Sequence, residues 1–374
     1  MVLRITLCAH CRSEAAVETC RHCGSAVCGP CFGDDSTCSA PRARVLRLGL
    51  GRRLRRIDPQ GRLALVSGWH PMLRLYDLTR GRRVACPGGL PRNTPQVSSI
   101  AREGRVAWAY FAVVSKDQAP TFTGLKIRSV HAAGESILEA QRPVTPRELV
   151  LCPDGRYVWF RTAGETVQVW DLETGAQHEH EPLPGSVLQA AALDVTTGLL
   201  ATATYGRGCV HRLHGGEAQR LGTLRALHDA DNVWLGLAAG CLVAVSDYRG
   251  RRGHVIRAFA LDADGAPGRE PFYVHEESDA AAGDRRKLWP QRPVVASLSQ
   301  DGRYLALATE DHHVALHDLT RERVQYLRGH TDAISTIAFT DGSQALVSGD
   351  HDNRVIIRPR RDDHFIDLAP GQRR

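Results

Sequence analysis

The stretch from Pro293 to Asp332, PVVASLSQDGRYLALATEDHHVALHDLTRERVQYLRGHTD, decides the reading of the whole chain. Three apolar runs in it, VVASL, YLALAT and VALHDL, alternate at the period of a strand. Asp301-Gly302 and Leu319-Thr320-Arg321 are turn signals between them, and a fourth run, VQYL, ends at Gly329-His330. Four short antiparallel strands in about 40 residues make a sheet with two faces to bury, so the unit has to stack on copies of itself.

The copies follow the glycine of the first turn. It recurs as Gln60-Gly61-Arg62, Glu103-Gly104-Arg105, Asp154-Gly155-Arg156, Thr197-Gly198-Leu199, Ala239-Gly240-Cys241, Asp301-Gly302-Arg303 and Asp341-Gly342-Ser343, at intervals of 43, 51, 43, 42, 62 and 40 residues. Each glycine opens onto an apolar strand: LALVSG, VAWAYFAVV, YVWFRT, LLATATY, LVAVSDY, YLALAT and ALVSGD. A single Asp-Gly turn is uninformative. Seven in register predict a mainly β chain built of seven repeated sheets.

The pattern resembles the WD-repeat β-propellers, over roughly Ala40 to Arg374. Trp170-Asp171 closes VQVWD of the third blade with the dipeptide that names the family, and Tyr76-Asp77 and His317-Asp318 stand at the same place in the first and sixth. Gly329-His330, Ser348 and Asp352 of the last blade fall where the family places its hydrogen-bonded Gly-His, Ser and Asp. Arg358-Pro359 stands where Trp-Asp is expected, so the resemblance implies an incomplete buried polar network there. The expected architecture is a seven-bladed propeller over residues 40–374 with a small zinc-binding module over residues 1–39.

Composition is compatible with this plan. The chain has 374 residues, enough for one ring and a small appendage, and aromatics are only 6%, so the core should be mostly Val, Leu and Ala. No apolar run approaches the roughly 18 residues of a membrane span. The N-terminus MVLRITL runs into cysteine without a signal-peptide core, so a cytoplasmic location is expected. Residues 1–56 hold ten arginines and four acids, and so carry +6 of the net +7; the propeller itself is nearly neutral.

Seven of the eleven cysteines lie within residues 8–38, as Cys8-x2-Cys11, Cys20-x2-Cys23, Cys28-x2-Cys31 and Cys38. A Cys-x-x-Cys turn sets two thiolates at two vertices of a zinc tetrahedron, and three such pairs exceed what one tetrahedron holds, so two Zn²⁺ ions are expected. An odd cysteine count without a secretion signal argues against a disulfide framework. The spacing resembles cross-brace modules of the B-box and FYVE type. That resemblance implies one ion on Cys8, Cys11, Cys28 and Cys31, and the other on Cys20, Cys23, Cys38 and Asp35, with Asp34 and His22 as rivals for the last place. The basic motif of lipid-binding FYVE modules is replaced here by Glu18-Thr19-Cys20-Arg21. The histidine placement of a ubiquitin-transferring RING is missing as well, so a docking module is expected.

Residues 39–56 carry seven arginines, Arg42, Arg44, Arg47, Arg52, Arg53, Arg55 and Arg56, and no acid. Such a run suits a nucleic-acid footprint. The alternation in RVLRLGL suits better an edge strand with one face buried, and Arg44 to Leu50 is expected to close the ring as the outermost strand of the last blade.

Extra length falls at Ser115 to Gly124 in the second blade, and at 246–254 and 275–293 around the fifth. All these insertions are expected to crown one end of the ring. They gather Arg249, Arg251, Arg252, Arg285, Arg286, Lys287 and Trp289, basic residues around an aromatic, as an anchor for a protein partner. No Gly-x-Ser-x-Gly, His-Glu-x-x-His or Gly-Lys-Ser/Thr motif occurs, and His312, His313 and His317 read as surface histidines. Cys86, Cys152, Cys209 and Cys241 read as buried thiols. The expected function is a non-enzymatic protein-interaction scaffold, and the alternative is a nucleic-acid-associated protein.

Overall fold

The stretch from Pro293 folds as Ala296–Leu298, Tyr304–Ala308, Val314–Asp318 and Arg323–Leu327, four antiparallel strands hydrogen-bonded in chain order. The structure, a computed structural model, describes residues 18–19, 26–27, 43–48, 53–58, 60–67, 73–78, 80–84, 98–101, 104–112, 121–129, 136–140, 146–152, 154–162, 166–181, 186, 188–194, 197–204, 207–214, 217–224, 230–248, 253–278, 294–361 and 364–365. The same four-stranded meander recurs over 53–84, 98–139, 146–180, 190–224 and 230–278. The last sheet has only three strands of its own, Ile334–Phe339, Ala345–Asp350 and Arg354–Arg361.

Its fourth place is filled from the other end of the chain. Arg44–Arg47 pairs antiparallel with Arg354–Arg361, Arg44 opposite Ile357 and Arg47 opposite Arg354, and Leu48 N–H donates to Asn353 O at 3.0 Å. Ring closure by the N-terminal strand is thus seen over its first four residues. His364–Phe365 pairs further along Arg354–Arg361, at Arg360 and Arg361, so the C-terminal strand supplements the closure. The first strands also join, as Thr336 Oγ1 of the last blade donates to Leu54 O of the first at 3.0 Å.

Seven apolar clusters fill seven seams between successive blades. The seam of blades four and five is mostly Ala, Leu and Val, with Ala192, Ala201, Ala203, Leu242 and Ala244 at its centre. The seam of blades six and seven holds Tyr304, Leu316, Leu346 and Phe365, and Leu54, Tyr76, Val347 and Val355 fill the closing seam. Each sheet buries one face on its predecessor and the other on its successor, so no blade is stable alone.

All seven marker glycines sit in the left-handed region, with φ between +61° and +73°. Each lies in the turn between the first and second strands of its blade. Gly302 also presses on the preceding blade: a Cβ there would stand 2.9 Å from Ala238 O, whereas at Gly240 the nearest such atom is Leu261 O at 4.0 Å. Gly240→Ala is expected to cost the backbone term alone, roughly 1–2 kcal/mol. Gly302→Ala should cost clearly more, which a comparison of denaturation midpoints checks.

Candidate functional site

The Asp of each closing dipeptide organises one end of its blade. Asp171 Oδ1 accepts from Glu173 N at 2.8 Å and Thr174 N at 3.2 Å, while Oδ2 takes Arg156 Nη2 at 3.1 Å. Asp318 repeats this with Thr320 Oγ1 at 2.8 Å and Arg303 Nη2 at 2.9 Å. In both blades the arginine follows the marker glycine and stacks on the next tyrosine, Arg156 over Tyr157 at 4.9 Å and Arg303 over Tyr304 at 4.8 Å. The two turns at that end are therefore clamped together, and Trp170 is buried against Phe160.

In the last blade a buried relay runs from Arg358 to Asp350. Arg358 Nη1 donates to Ser348 Oγ at 3.1 Å, Ser348 Oγ meets His330 Nε2 at 2.8 Å, and His330 Nδ1 meets Asp350 Oδ2 at 2.9 Å. The Asp350 carboxylate only accepts, so the neutral imidazole carries its proton on Nδ1 and its Nε2 accepts from the Ser348 hydroxyl, which in turn accepts from Arg358. Burial lowers the His330 pKa against the pull of Asp350, which keeps the ring neutral. Burial pushes the Asp350 carboxyl up, but hydrogen bonds from His330 and Arg354 N outweigh it and hold the carboxyl below its ordinary range.

Two expectations are corrected here. The carboxylate of this network is Asp350; Asp352 is exposed and takes only Thr331 Oγ1, at 3.3 Å. The network is also complete, because the buried Arg358 guanidinium supplies the N–H expected from an indole and gives a second one to Arg328 O at 2.6 Å.

The histidine expectation is corrected as well. His317 is fully buried, with Nδ1 2.9 Å from the Tyr273 hydroxyl and the His275 ring at 5.0 Å. Burial, and then the neighbouring His275, lower its pKa to about 3. His211, buried with Nε2 3.5 Å from Thr202 Oγ1, falls to about 4 by burial, Arg220 and His180. Both gain protons on unfolding below about pH 6.5, so their stability is present above that pH and lost as the pH falls toward 3 or 4. The denaturation midpoint is expected to drop between pH 7 and pH 4.5, and His317→Gln should flatten that drop.

Cys152, Cys209 and Cys241 are buried thiols as expected, and Cys86 lies outside the described residues. Burial, with Asp154 and Asp194 adding to it, pushes Cys152 up to about 12; burial pushes Cys241 to about 11.

The extra length is bracketed by described strand ends. The second blade's connection runs over 113–120, and Gly124 already belongs to the strand Thr121–Ser129. In the fifth blade the insertion expected at 246–254 is corrected: Cys241–Tyr248 and Gly253–Ala260 take up most of it and leave only the ordinary four-residue connection 249–252, while Tyr273–Ser278 leads into the longer 279–293. Gly253 stands opposite Ser278, so both connections leave from adjacent strand ends. Arg249, Arg251, Arg252, Arg285, Arg286, Lys287 and Trp289 lie outside the described residues. So do Cys8, Cys11, Cys20, Cys23, Cys28, Cys31, Asp35 and Cys38. Glu18–Thr19 pairs antiparallel with Ala26–Val27.

One insertion had no sequence signal of its own. Residues 261–272 form a turn between the third and fourth strands of blade five, at the end opposite 279–293, so the expectation that all the extra length crowns one end is corrected; in it Asp262 Oδ1 accepts from Asp264 N and Ala266 N, both at 2.9 Å. It leans on blade four through Arg212 Nη2, which donates to Asp264 O at 2.8 Å.

Seven four-stranded sheets, the last completed by Arg44–Arg47, define a seven-bladed β-propeller, and His330, Ser348 and Asp350 of the relay lie in a WD repeat. Residues 321–357 match the family model described as WD domain, G-beta repeat. That span runs from the outer strand of blade six through most of blade seven. Among curated proteins the chain is similar to U3 snoRNP-associated protein-like EMB2271 of Arabidopsis thaliana, 40% identical over 68 residues, which are 18% of this chain and 14% of that one. It is also similar to U3 snoRNP-associated protein-like YAO of the same organism, 38% identical over 65 residues, 17% of this chain and 13% of that one. Each match spans about a seventh of the relative's length.

Proposed function

We propose that this chain is a non-enzymatic scaffold for protein–protein interaction, with a propeller that offers one decorated end to a partner and a two-zinc docking module over residues 1–39. The observation that carries the reading is the adjacency of Tyr248, Gly253 and Ser278, strand ends that set the short connection 249–252 beside the long connection 279–293 of blade five. A long loop at one end of a repeat protein commonly marks a binding face. Trp289 among Arg285, Arg286 and Lys287 is the anchor in this reading. Trp289→Ala is expected to abolish partner capture while the melting temperature stays unchanged; early melting with binding intact overturns the assignment.

The zinc module would hold one ion on Cys8, Cys11, Cys28 and Cys31 and one on Cys20, Cys23, Cys38 and Asp35. Elemental analysis should find close to two zinc ions per chain. A single ion removes the second site, and a stoichiometry unchanged by Asp35→Ala removes Asp35 from it. A second reading, association with RNA-containing complexes, is favoured by the printed names of the two relatives and by the arginine run of residues 42–56. Its mark is a steep salt dependence of binding to nucleic acid.

A further inference from the structure

The seam where the ring closes carries a second surface. Arg44–Arg47 is the outermost strand of its sheet among the described residues, paired on one edge only. An outermost strand turns half of its backbone N–H and C=O groups outward, ready for another strand. Both of its arginines are exposed. Arg44 shares a face with Leu46, toward the first blade, and Arg47 shares the opposite face with Val45.

The first blade brings more positive charge to the same place. Its turn Arg80-Gly81-Arg82 meets the closing strand, since a Cβ on Gly81 would lie 3.5 Å from Leu46 Cδ2. Arg80, Arg82 and Arg83 are all exposed, and Arg83 stands opposite Tyr76, which packs in one cluster with Leu46 and Leu48. Residues 43–48 and 80–84 contain no acid and no aromatic. Of the neighbouring carboxylates, Asp77 is buried and takes Arg80 N at 3.1 Å with Arg80 Nε at 3.9 Å. Asp352 faces Thr331. Arg47 moreover lies directly opposite the buried Arg354, whose charge Asp350 already faces from inside the blade, so the exposed Arg47 is the member of the pair turned to an external carboxylate.

We infer that this edge binds an extended acidic peptide segment of a protein partner by strand addition to Arg44–Arg47. Backbone hydrogen bonds would run to the open edge, and side chains of the added strand alternate between its two faces. Carboxylates on one face meet Arg44 and Arg83, and those on the other meet Arg47. The lack of an aromatic stacking platform favours carboxylates over the bases of a single-stranded nucleic acid. Arg80-Gly81-Arg82 is a third-to-fourth-strand turn, at the end opposite the connections 249–252 and 279–293. The surface therefore stands or falls independently of the decorated end.

The test uses the full chain, a fluorescent oligoglutamate peptide and oligouridylate as competitor. Oligoglutamate should bind, and more weakly as salt rises. Arg44→Gln/Arg47→Gln/Arg83→Gln should weaken it by about tenfold or more, in line with the additive loss of three exposed charge contacts. The smaller pair Arg82→Gln/Arg83→Gln leaves the closing strand untouched and should weaken it about threefold. Arg269→Gln/Arg321→Gln/Arg323→Gln, on blades five and six, should leave it unchanged. Equal loss in the two triple variants reduces the effect to net charge and overturns the site. Oligouridylate displacing the peptide at lower concentration than unlabelled oligoglutamate overturns the acidic-peptide assignment in favour of a phosphate polyanion.

Discussion

A chain that starts after Gly51 is expected to lose its closed ring, whereas one that starts after Cys38 should stay soluble and melt at nearly the temperature of the full protein. The shorter chain lacks Arg44–Arg47 and Leu48, and so uncovers Val355, Ile356 and Ile357 along the edge of Arg354–Arg361. Leu48 is buried in the closing seam, where Leu46 packs beside Leu54, Val347 and Val355. Burial of each leucine is worth roughly 1.5–3 kcal/mol. The summed loss approaches the 5–15 kcal/mol or so of stability that a whole protein ordinarily has. The bare edge is in addition a template for pairing with other molecules. Light scattering and thermal denaturation of the two truncated chains test this directly; equal behaviour would mean that His364–Phe365 suffices to close the ring.

Asp350→Ala is expected to be the most damaging single substitution in the last blade, at about 3–5 kcal/mol, the range for leaving a buried charge uncompensated. The carboxylate takes His330 Nδ1 and Arg354 N, each at 2.9 Å, and its charge faces the buried guanidinium of Arg354. Its loss leaves a neutral imidazole and a backbone N–H without acceptors in the interior. Asp352→Ala, two residues on and exposed, should change the denaturation midpoint little. The pair of variants separates the carboxylate seen in the relay from the one that spacing alone would choose.

The contrast between those two aspartates shows what the sequence makes legible. The marker glycines were readable because a left-handed turn is a local demand that glycine meets at low cost, and φ at Gly61 or Gly302 depends on no distant residue. The closing strand was readable because arginine alternating with leucine already describes one buried and one open face. The relay was not. Replacing an indole by Arg358 preserves a donor whose acceptor, Ser348, lies ten residues away on the adjacent strand, and only the pairing of Leu346 with Arg358 brings the two together. The turn over 261–272 was hidden for a related reason: its length was absorbed into the long fifth interval. His317 looked exposed because it follows two histidines at a turn, yet strand alternation points it at Tyr273. In the candidate interaction surface the strand ends were predictable from repeat register. The arginine cluster at Gly81 was not, because it joins residues from two blades that only closure makes neighbours.

Leu46 and Val355 are paired partners about 300 residues apart in the chain. During synthesis the strand that locks the ring leaves the ribosome before the seven blades it joins, and its partner emerges about 300 residues later. At about 5–20 residues per second, it waits on the order of fifteen seconds to a minute. Six sheets can stack on one another in that interval, but the circle shuts only once Arg354–Arg361 has emerged. A product cut short before Arg354 thus carries its latch already made and nothing to fasten it to.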